Sequence, residues 1–452
     1  MDNSIVYESS SMFVRLLQGL MNTKVQVDGV ENIPENTTLF VSNHFTRTET
    51  FIIPNVIYKR TDKIVRSLAN YKIFTSNFGS YLRKLGTIST KEPNRNNIIL
   101  GDLISGKHNW LIYPEGHMVK SKKTTKQGMN YIVQSSTTER EIHTGSALIA
   151  IKSELLRNEL NKLLKLEDEE GLKKFYKRYE INPDEKLINT STAVVPVTIT
   201  YVPIRPGDNT IAKIALKFIN KLSNKLKEEL EIEGNILLHS EINIHFGKAI
   251  FIDEFLKKSY KNSLGLPFGG HIQPNIVVGQ GRFELTRVFM DEIYKNTLVH
   301  FDHIVATILF NYPYEKITKT HLKLLTYMAI NFLHEKTENR LHDNISQERS
   351  FLLLLEDNHD YLENILYLAY SLGIIRENIG ENIQINQKQL HKSYSFHTVR
   401  TRNTLAVIKN EVMLMDNFVE YVKKMCILDI KTLREIVDFT LDNATCSLLD
   451  KE

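Results

Sequence analysis

The stretch VSNHFTRTET (residues 41–50) carries a histidine, His44, and an acid five residues later, Glu49. On a regular α-helix a step of five residues is a rotation of about 140°, so these side chains would diverge. They can meet only if part of the stretch is a turn. A carboxylate on one imidazole nitrogen would leave the other nitrogen free to accept a proton. The pair is therefore either a general-base dyad or two polar residues that share a loop.

A second stretch, IYPEGHMVKSKKTTK, follows a short apolar run. The predicted strand stops at Pro114. Glu115, just after the end of the strand, can accept a hydrogen bond from a hydroxyl. Gly116 would let a ligand approach the backbone closely. The lysines that follow, among them Lys120, offer positive charge to a phosphate, and the alternative interpretation is a solvated loop.

Other catalytic chemistries lack their motifs in this sequence. There is no G-x-S-x-G elbow for a serine nucleophile, and His44 has no HExxH partner for a metal. The two cysteines, Cys426 and Cys446, form no CxxC pair and fit a reducing compartment. We therefore expect neither a metal nor a cofactor. The glycine-rich stretch at residues 263–281 does not match a phosphate-binding loop, and it predicts a loop at a domain boundary.

The elements that must position these residues alternate between strand and helix. Up to about residue 262 the pattern predicts an α/β domain, a mixed sheet flanked by helices, with a charged helical insertion near residues 154–190. The pattern of residues 283–452 predicts a mostly α-helical C-terminal domain with a β-hairpin that turns at Gly380. Such a unit can be a nucleic-acid-binding winged helix, but no basic recognition helix stands out, which favours an interaction or scaffolding domain.

Composition supports a folded protein of two domains. The chain has 452 residues, of which 42% are hydrophobic and 24% charged. A net charge of only +4 argues against extensive nucleic-acid wrapping. The N-terminus lacks the pattern of a secretory signal, and no stretch approaches the roughly 18 apolar residues of a membrane span.

An amphipathic helix is predicted near the N-terminus. Its apolar residues recur at helical spacing: Phe13, Leu16, Leu17, Leu20 and Met21. Such a face either packs on the protein's own core or lies among lipid headgroups. We therefore expect the chain to be cytoplasmic or attached to the cytoplasmic face of a membrane.

The motifs, in this order, resemble those of the glycerophospholipid acyltransferase family. NHFTRTE resembles the family's His-x-x-x-x-Asp block, and YPEG resembles its Phe-Pro-Glu-Gly block. VVPV at residues 194–197 resembles its last block, and INIHFGKAI resembles the strand that follows. The resemblance covers roughly residues 10–255. The C-terminal region faintly resembles that of glycerol-3-phosphate acyltransferases.

Two positions and one block depart from the family's pattern. Glu49 stands where the family usually has Asp, and His117 stands where Thr is usual. The family's second block normally carries an arginine for the acceptor phosphate. The corresponding stretch here, GTISTKEPNR, contains Lys91 and Arg95.

The resemblance implies an O-acyltransferase of phospholipid biosynthesis at a membrane lipid surface. The donor would be acyl-CoA or an acyl group on acyl carrier protein, and the acceptor a hydroxyl of glycerol 3-phosphate, lysophosphatidate or a related lysophospholipid. His44 would be the general base and Glu49 its partner. The predicted substrate-binding residues are Pro114, Glu115, Gly116, Lys91, Arg95 and Lys120. The alternatives are a non-catalytic lipid-binding or scaffold protein on the same fold and a nucleic-acid-binding protein.

Overall fold

A computed structural model describes residues 24–449 of the chain with internal gaps. The gaps are residues 47–48, 70, 72–82, 84–85, 117–123, 129, 135–138, 185–186, 188–189, 204–239, 265–273, 337–339, 357–358, 380, 392–404, 406–407, 410–411 and 413–416. The predicted amphipathic helix around Phe13 lies outside the described residues, so it remains a prediction.

The strands, in chain order, are β1 Val25–Asp28, β2 Thr38–Ser42, β3 Val65–Ala69, β4 Ile88–Ser89, β5 Asn109–Ile112, β6 Thr124–Gln127, β7 Asn130–Gln134, β8 Glu139–Glu141, β9 Ala193–Val202, β10 Glu241–Phe246, β11 Ile250–Phe251, β12 Leu298–Val299, β13 Lys316–Thr318, β14 Arg340–Leu341, β15 Ile375–Ile379 and β16 Asn382–Ile385. The described α-helices are α1 Glu49–Thr61, α2 Arg95–Ser105, α3 Gly145–Lys165, α4 Glu169–Tyr179, α5 Ile252–Leu264, α6 Pro274–Lys295, α7 Phe301–Asn311, α8 Lys319–His334, α9 Gln347–Leu355, α10 Asp360–Ser371, α11 Gln387–Leu390, α12 Phe418–Cys426 and α13 Ile430–Leu449. Short 3-10 helices span Val30–Asn32 and Asp343–Ile345.

A mixed sheet forms the centre of the N-terminal region. Its strand order is β1-β10-β9-β2-β5-β3-β4, with β11 paired to β9. The five strands β9, β2, β5, β3 and β4 run parallel to one another. β10 is antiparallel to β9. The carboxyl ends of the five parallel strands therefore meet at one edge, which is where ligands usually bind in open α/β sheets.

Apolar side chains cover both faces of this sheet. In β2, Leu39 and Val41 pack on one face with α2, α3, α4, α5 and α6, while Phe40 packs on the other face with α1. All five residues of β2 are buried. A strand buried on both faces is expected to be continuously apolar, which explains why TLFVS lacks a polar alternation.

The C-terminal region has its own hydrophobic core, formed by helices α7–α10, α12 and α13 and a small sheet. The hairpin β15–β16 pairs with β13 in the order β13-β16-β15, as the sequence around Gly380 predicts. Helix α10, which precedes the hairpin, exposes Tyr367 and Tyr370. The expected fold class, a mixed α/β sheet flanked by helices with a mostly helical C-terminal region and a β-hairpin, is confirmed.

The interpretation of residues 263–281 as a loop is wrong over its last part, because α6 begins at Pro274. Its buried residues Leu285, Phe289 and Ile293 join the core of the N-terminal sheet. Tertiary packing on α3 therefore overrides the low helix propensity of the glycines. The predicted C-terminal boundary at residue 283 falls inside this helix.

The charged segment predicted as an insertion is helical, but one face of it is buried. Helix α3 continues through residue 154, and α4 buries Phe175 and Tyr179 in the core. A Cβ atom on Gly101 of α2 would lie 1.9 Å from the carbonyl oxygen of Tyr179, the last residue of α4. Helices α2 and α4 can therefore approach this closely only because residue 101 is glycine.

No helix among the described residues is both long and apolar enough to cross a membrane.

Candidate active site

His44 and Glu49 meet at the carboxyl end of β2. His44 Nδ1 lies 2.8 Å from Glu49 Oε2, and the histidine side chain is 16% exposed while the glutamate is fully buried. Glu49 is the first residue of α1, so the chain turns between the strand and the helix as the spacing requires. With Nδ1 engaged, Nε2 is the ring nitrogen that can accept a proton from a substrate.

The Glu49 carboxylate is held by donors from the turn and from β9. The amide of Phe45 donates to both carboxylate oxygens at 2.9 Å, and the amide of Thr46 donates to Oε1 at 2.8 Å. The Tyr201 hydroxyl also donates to Oε1, at 2.8 Å. These hydrogen bonds fix the orientation of the carboxylate and determine which oxygen faces His44.

Asn43 anchors the main chain just before the histidine. Its Nδ2 donates to the Ile199 carbonyl at 3.0 Å, and its Oδ1 accepts from the Ile199 amide at 2.9 Å. The side-chain amide thus bonds the main chain of β9 beyond the last paired residue of β2. This clamp explains why a polar residue is buried at this point of the core.

The Tyr113 ring stacks on the imidazole of His44, with ring centroids 4.1 Å apart and planes at 21°. Tyr113 precedes the Pro-Glu-Gly turn at the end of β5, beside β2 in the sheet. Burial and the negative charge of Glu49 raise the pKa of the Tyr113 phenol well above its usual value. The stacked ring holds the imidazole plane, while Glu49 determines its tautomer.

Glu115 bonds the main chain of the loop that carries His44, and its predicted contact with substrate stays a prediction. Its Oε2 accepts from the His44 amide at 2.9 Å, and its Oε1 accepts from the Tyr294 hydroxyl at 2.7 Å. The residue is only 1% exposed. A carboxylate so buried, with both oxygens bonded to protein, is poorly suited to bind the acceptor hydroxyl.

Gly116 has a left-handed backbone conformation next to His143, and close approach by a ligand stays a prediction. Its φ is 70°, and a Cβ atom there would lie 2.4 Å from Cδ2 of His143. The His143 amide in turn donates to the Pro114 carbonyl at 3.1 Å. The His143 side chain therefore occupies the space that a Cβ atom at residue 116 would need. Burial, and secondarily the charge of Arg140, lower the pKa of His143.

Replacing Gly116 by alanine is expected to destabilise the fold by more than the ~1–2 kcal/mol that a left-handed backbone costs an L-residue, because His143 must also move. Gly128 is the matched control, since its φ is 59° and a Cβ atom there would meet nothing within 4 Å. Urea unfolding of Gly116→Ala and Gly128→Ala measures the difference. Equal losses of unfolding free energy would show that His143 does not constrain residue 116.

The predicted phosphate-binding cations lie at the same sheet edge or outside the described residues. Lys91 follows β4, and its Nζ lies 3.7 Å from the centroid of the Tyr71 ring, which follows β3. Arg95 begins α2, and its Nη1 donates to the Thr90 carbonyl. Lys120 is not among the described residues. β4 stands three strands from β2, so Lys91 and His44 emerge from one edge about 14 Å apart at the strand spacing of ~4.8 Å.

A second histidine–carboxylate pair provides an internal comparison. His108 Nδ1 lies 3.0 Å from Asp102 Oδ1, and His108 is 15% exposed, much like His44. Asp102 also accepts from Arg66 at 2.8 Å and from the Trp110 indole at 3.0 Å. This pair lies at the amino end of β5, the edge opposite to His44. Geometry alone therefore does not distinguish the two pairs, but their positions in the sheet do.

Sequence reasoning missed the tyrosines that surround the dyad. Tyr113 adjoins the recognised Pro-Glu-Gly turn, so its position could have suggested a role. Tyr201 lies 152 residues after Glu49, and Tyr294 lies 179 residues after Glu115. No local motif marks either of these two residues.

The N-terminal region matches a known protein family. The family model for Acyltransferase matches residues 24–163, from β1 to α3. No match is found among curated proteins. Among solved structures, the 1-acyl-sn-glycerophosphate (LPA) acyltransferase PlsC from Thermotoga maritima is similar, at 14% sequence identity and a TM-score of 0.31, over 63% of this chain and 81% of that chain.

The residues matched by the family model include both parts of the site. They contain the His44–Glu49 pair and the Pro-Glu-Gly turn, in the order of the sequence motifs. Residues 24–163 therefore match the Acyltransferase family over the part of the chain that holds the candidate site.

Proposed function

We propose that this protein transfers a fatty acyl group from an acyl thioester, acyl-CoA or acyl carrier protein, to a hydroxyl of a glycerol-phosphate or lysophospholipid acceptor in phospholipid biosynthesis. The observation that carries the proposal is the 2.8 Å contact between His44 Nδ1 and the buried carboxylate of Glu49 at the carboxyl edge of the parallel strands. The resemblance of the ordered motifs supports the thioester donor and the acceptor class.

In the proposed reaction, His44 Nε2 removes the proton of the acceptor hydroxyl as its oxygen attacks the thioester carbonyl. The new carbon–oxygen bond gives a tetrahedral oxyanion. Its collapse breaks the carbon–sulfur bond and releases the thiol, which takes the proton from the imidazolium. Glu49 holds the reactive tautomer and stabilises the imidazolium. A serine or cysteine nucleophile is unnecessary because the thioester is already activated.

Glu115 is proposed to position the loop that carries His44. The resemblance instead implies that Glu115 contacts the glycerol part of the acceptor. Its two hydrogen bonds, to the His44 amide and from Tyr294, support the positioning role. Gly116 and Pro114 would act through the turn that they form. In this proposal, contact with the acceptor phosphate falls to Lys91, Arg95 and Lys120.

The protein is also proposed to act at the cytoplasmic face of a membrane, as a peripheral protein. Long-chain acyl donors and lysophospholipid acceptors are amphiphiles that concentrate at lipid surfaces. The apolar residues Phe13, Leu16, Leu17 and Leu20 are the proposed contact with lipid headgroups.

The direct test incubates the purified full chain with labelled acyl-CoA or acyl carrier protein thioesters and a panel of acceptors. Glycerol 3-phosphate, lysophosphatidate and other lysophospholipids are the acceptors of interest, and the product is an ester resolved by chromatography. Acyl transfer to one of them is the expected result. Lipid binding without any transfer would instead support the alternative, a non-catalytic lipid-binding protein on the same fold.

If the acceptor is a phosphate ester, Lys91→Ala is expected to raise its KM about tenfold to hundredfold, because a hydrogen bond to a charged group is worth about 1.5–3 kcal/mol. The KM of the thioester should change much less. Arg95→Ala should have the smaller effect of the two, since Arg95 already bonds the Thr90 carbonyl.

Lys107→Ala is the matched control for these kinetic measurements. Lys107 is exposed and precedes β5 at the opposite edge of the sheet. An unchanged acceptor KM in the Lys91 and Arg95 variants would mean that the phosphate is held elsewhere or that the acceptor is not a phosphate ester.

A further inference from the structure

The last turn of α6 reaches the candidate active site from outside the residues that the family model matches. The Tyr294 hydroxyl donates to Glu115 Oε1 at 2.7 Å. One residue earlier, the Ile293 carbonyl accepts from Thr198 Oγ1 of β9 at 2.6 Å. The end of this helix is therefore fixed both to the central sheet and to the Pro-Glu-Gly turn.

Glu115 links this helix to the histidine. Its second oxygen, Oε2, accepts from the amide of His44 at 2.9 Å. Glu115 is 1% exposed and Tyr294 is 4% exposed, so water does not readily replace either contact. A hydrogen-bonded path thus runs from the phenol through one carboxylate to the main chain of the histidine.

We propose that Tyr294 is a positioning residue for His44, because it orients Glu115 so that the carboxylate holds the His44 amide. The inference rests on the proposed function, in which His44 is the general base. It extends the catalytic unit to α6, about 110 residues beyond the end of the matched domain at residue 163.

The physical reason lies in the freedom of a glutamate side chain. Rotation of a carboxylate about its last torsion is only weakly restricted, so packing alone does not fix the direction of its oxygens. A charge-assisted hydrogen bond from a buried phenol restricts that rotation. Burial and the charge of Glu115 raise the pKa of Tyr294 well above its usual value, so the phenol stays protonated and remains a donor.

The same helix offers a matched control. The Tyr131 hydroxyl of β7 donates to Asp291 of α6, and Tyr131 is 3% exposed. The Tyr131 and Tyr294 rings stack with centroids 6.1 Å apart. Tyr131→Phe and Tyr294→Phe therefore each remove one phenol hydroxyl that donates to a carboxylate, and one residue of each hydrogen-bonded pair lies on α6. Of these two carboxylates, Glu115 is the one that accepts a hydrogen bond from the His44 amide.

Kinetics of the full chain provide the first readout. Tyr294→Phe is expected to lower kcat about tenfold to hundredfold, the cost of a small misplacement of a catalytic group, with both KM values nearly unchanged. Tyr131→Phe is expected to keep kcat near that of the wild type at a similar melting temperature. If the two variants lose activity in proportion to their loss of stability, the Tyr294 contact is only structural and the proposal is wrong.

A double-mutant cycle with Glu115→Gln tests the path itself. If Tyr294 acts through Glu115, Tyr294→Phe should lower kcat much less in the Glu115→Gln background than in the wild type. Independent and additive losses would contradict the proposed path.

Amide hydrogen exchange provides a readout that needs no activity. Exchange of the His44 amide should be faster in Tyr294→Phe than in the wild type or in Tyr131→Phe, because its acceptor is less well held. Equal exchange in the two variants would overturn the proposal. If wild-type protein transfers no acyl group but exchange responds as expected, the proposed function fails while the positioning contact stands.

Discussion

The His44→Ala variant is expected to lose acyl transfer by about 10²–10⁴-fold, the typical contribution of a general base. Thermal stability should change little, because the ring is partly exposed and His44 lies beyond the last paired residue of β2, Ser42. The measurement compares turnover and melting temperature of the wild type and the variant. KM values should stay close to those of the wild type, since the imidazole acts mainly in the transition state.

His108→Ala is the matched control for this prediction. His108 is a histidine of similar exposure that contacts a carboxylate at similar distance, but it lies at the amino edge of the sheet. Activity should survive this substitution even if stability falls slightly. Retained transfer in His44→Ala would rule out the proposed mechanism, whatever the result for His108.

Glu49→Gln is expected to be impaired almost as severely, by about 10²–10⁴-fold, because it reverses the tautomer of His44. The glutamine oxygen can take the place of Oε1, which accepts from Thr46 and Tyr201. The amide NH₂ group then faces His44 Nδ1 and donates to it. Nε2 must carry the hydrogen in that tautomer, so it cannot accept the substrate proton.

Glu49→Asp distinguishes loss of charge from loss of reach. Aspartate keeps the negative charge and is the residue that the family usually has here, but its shorter side chain must span the same turn. A partial loss of kcat is expected, clearly smaller than that of the glutamine variant. Nitrogen NMR of the His44 ring would report the tautomer directly in both variants. Equal activity of wild type and Glu49→Gln would reduce Glu49 to a structural residue.

The local pattern of the sequence was sufficient to predict the strands that lead into the motifs and the candidate dyad, but not β3 or the sheet β6-β7-β8. Apolar runs such as TLFVS and NWLI identify buried strands because burial requires apolar side chains over a short length. His44 and Glu49 are five residues apart, so one turn is enough to bring them together. The C-terminal hairpin around Gly380 is also a local feature, since its strands are adjacent in sequence.

Misinterpretations arose where packing over long sequence distances decides the structure. Residues 274–281 are helical despite their glycines, because α6 buries an apolar face against the sheet. The close contact of residue 116 with His143, which comes from another part of the chain, was likewise not predicted. Neither outcome can be read from the residues immediately before and after these positions.

The sequence by itself determined the α/β pattern, the order of the motifs and the identity of the candidate base and its acid. Only the tertiary structure decided how those groups are held: Tyr201 bonds Glu49, and Tyr294 bonds Glu115. These contacts depend on β9 lying beside β2 and on α6 packing against the sheet. The physical reason is that hydrophobic periodicity specifies which face of an element is buried, while strand order and helix placement determine which distant polar groups come within hydrogen-bonding distance.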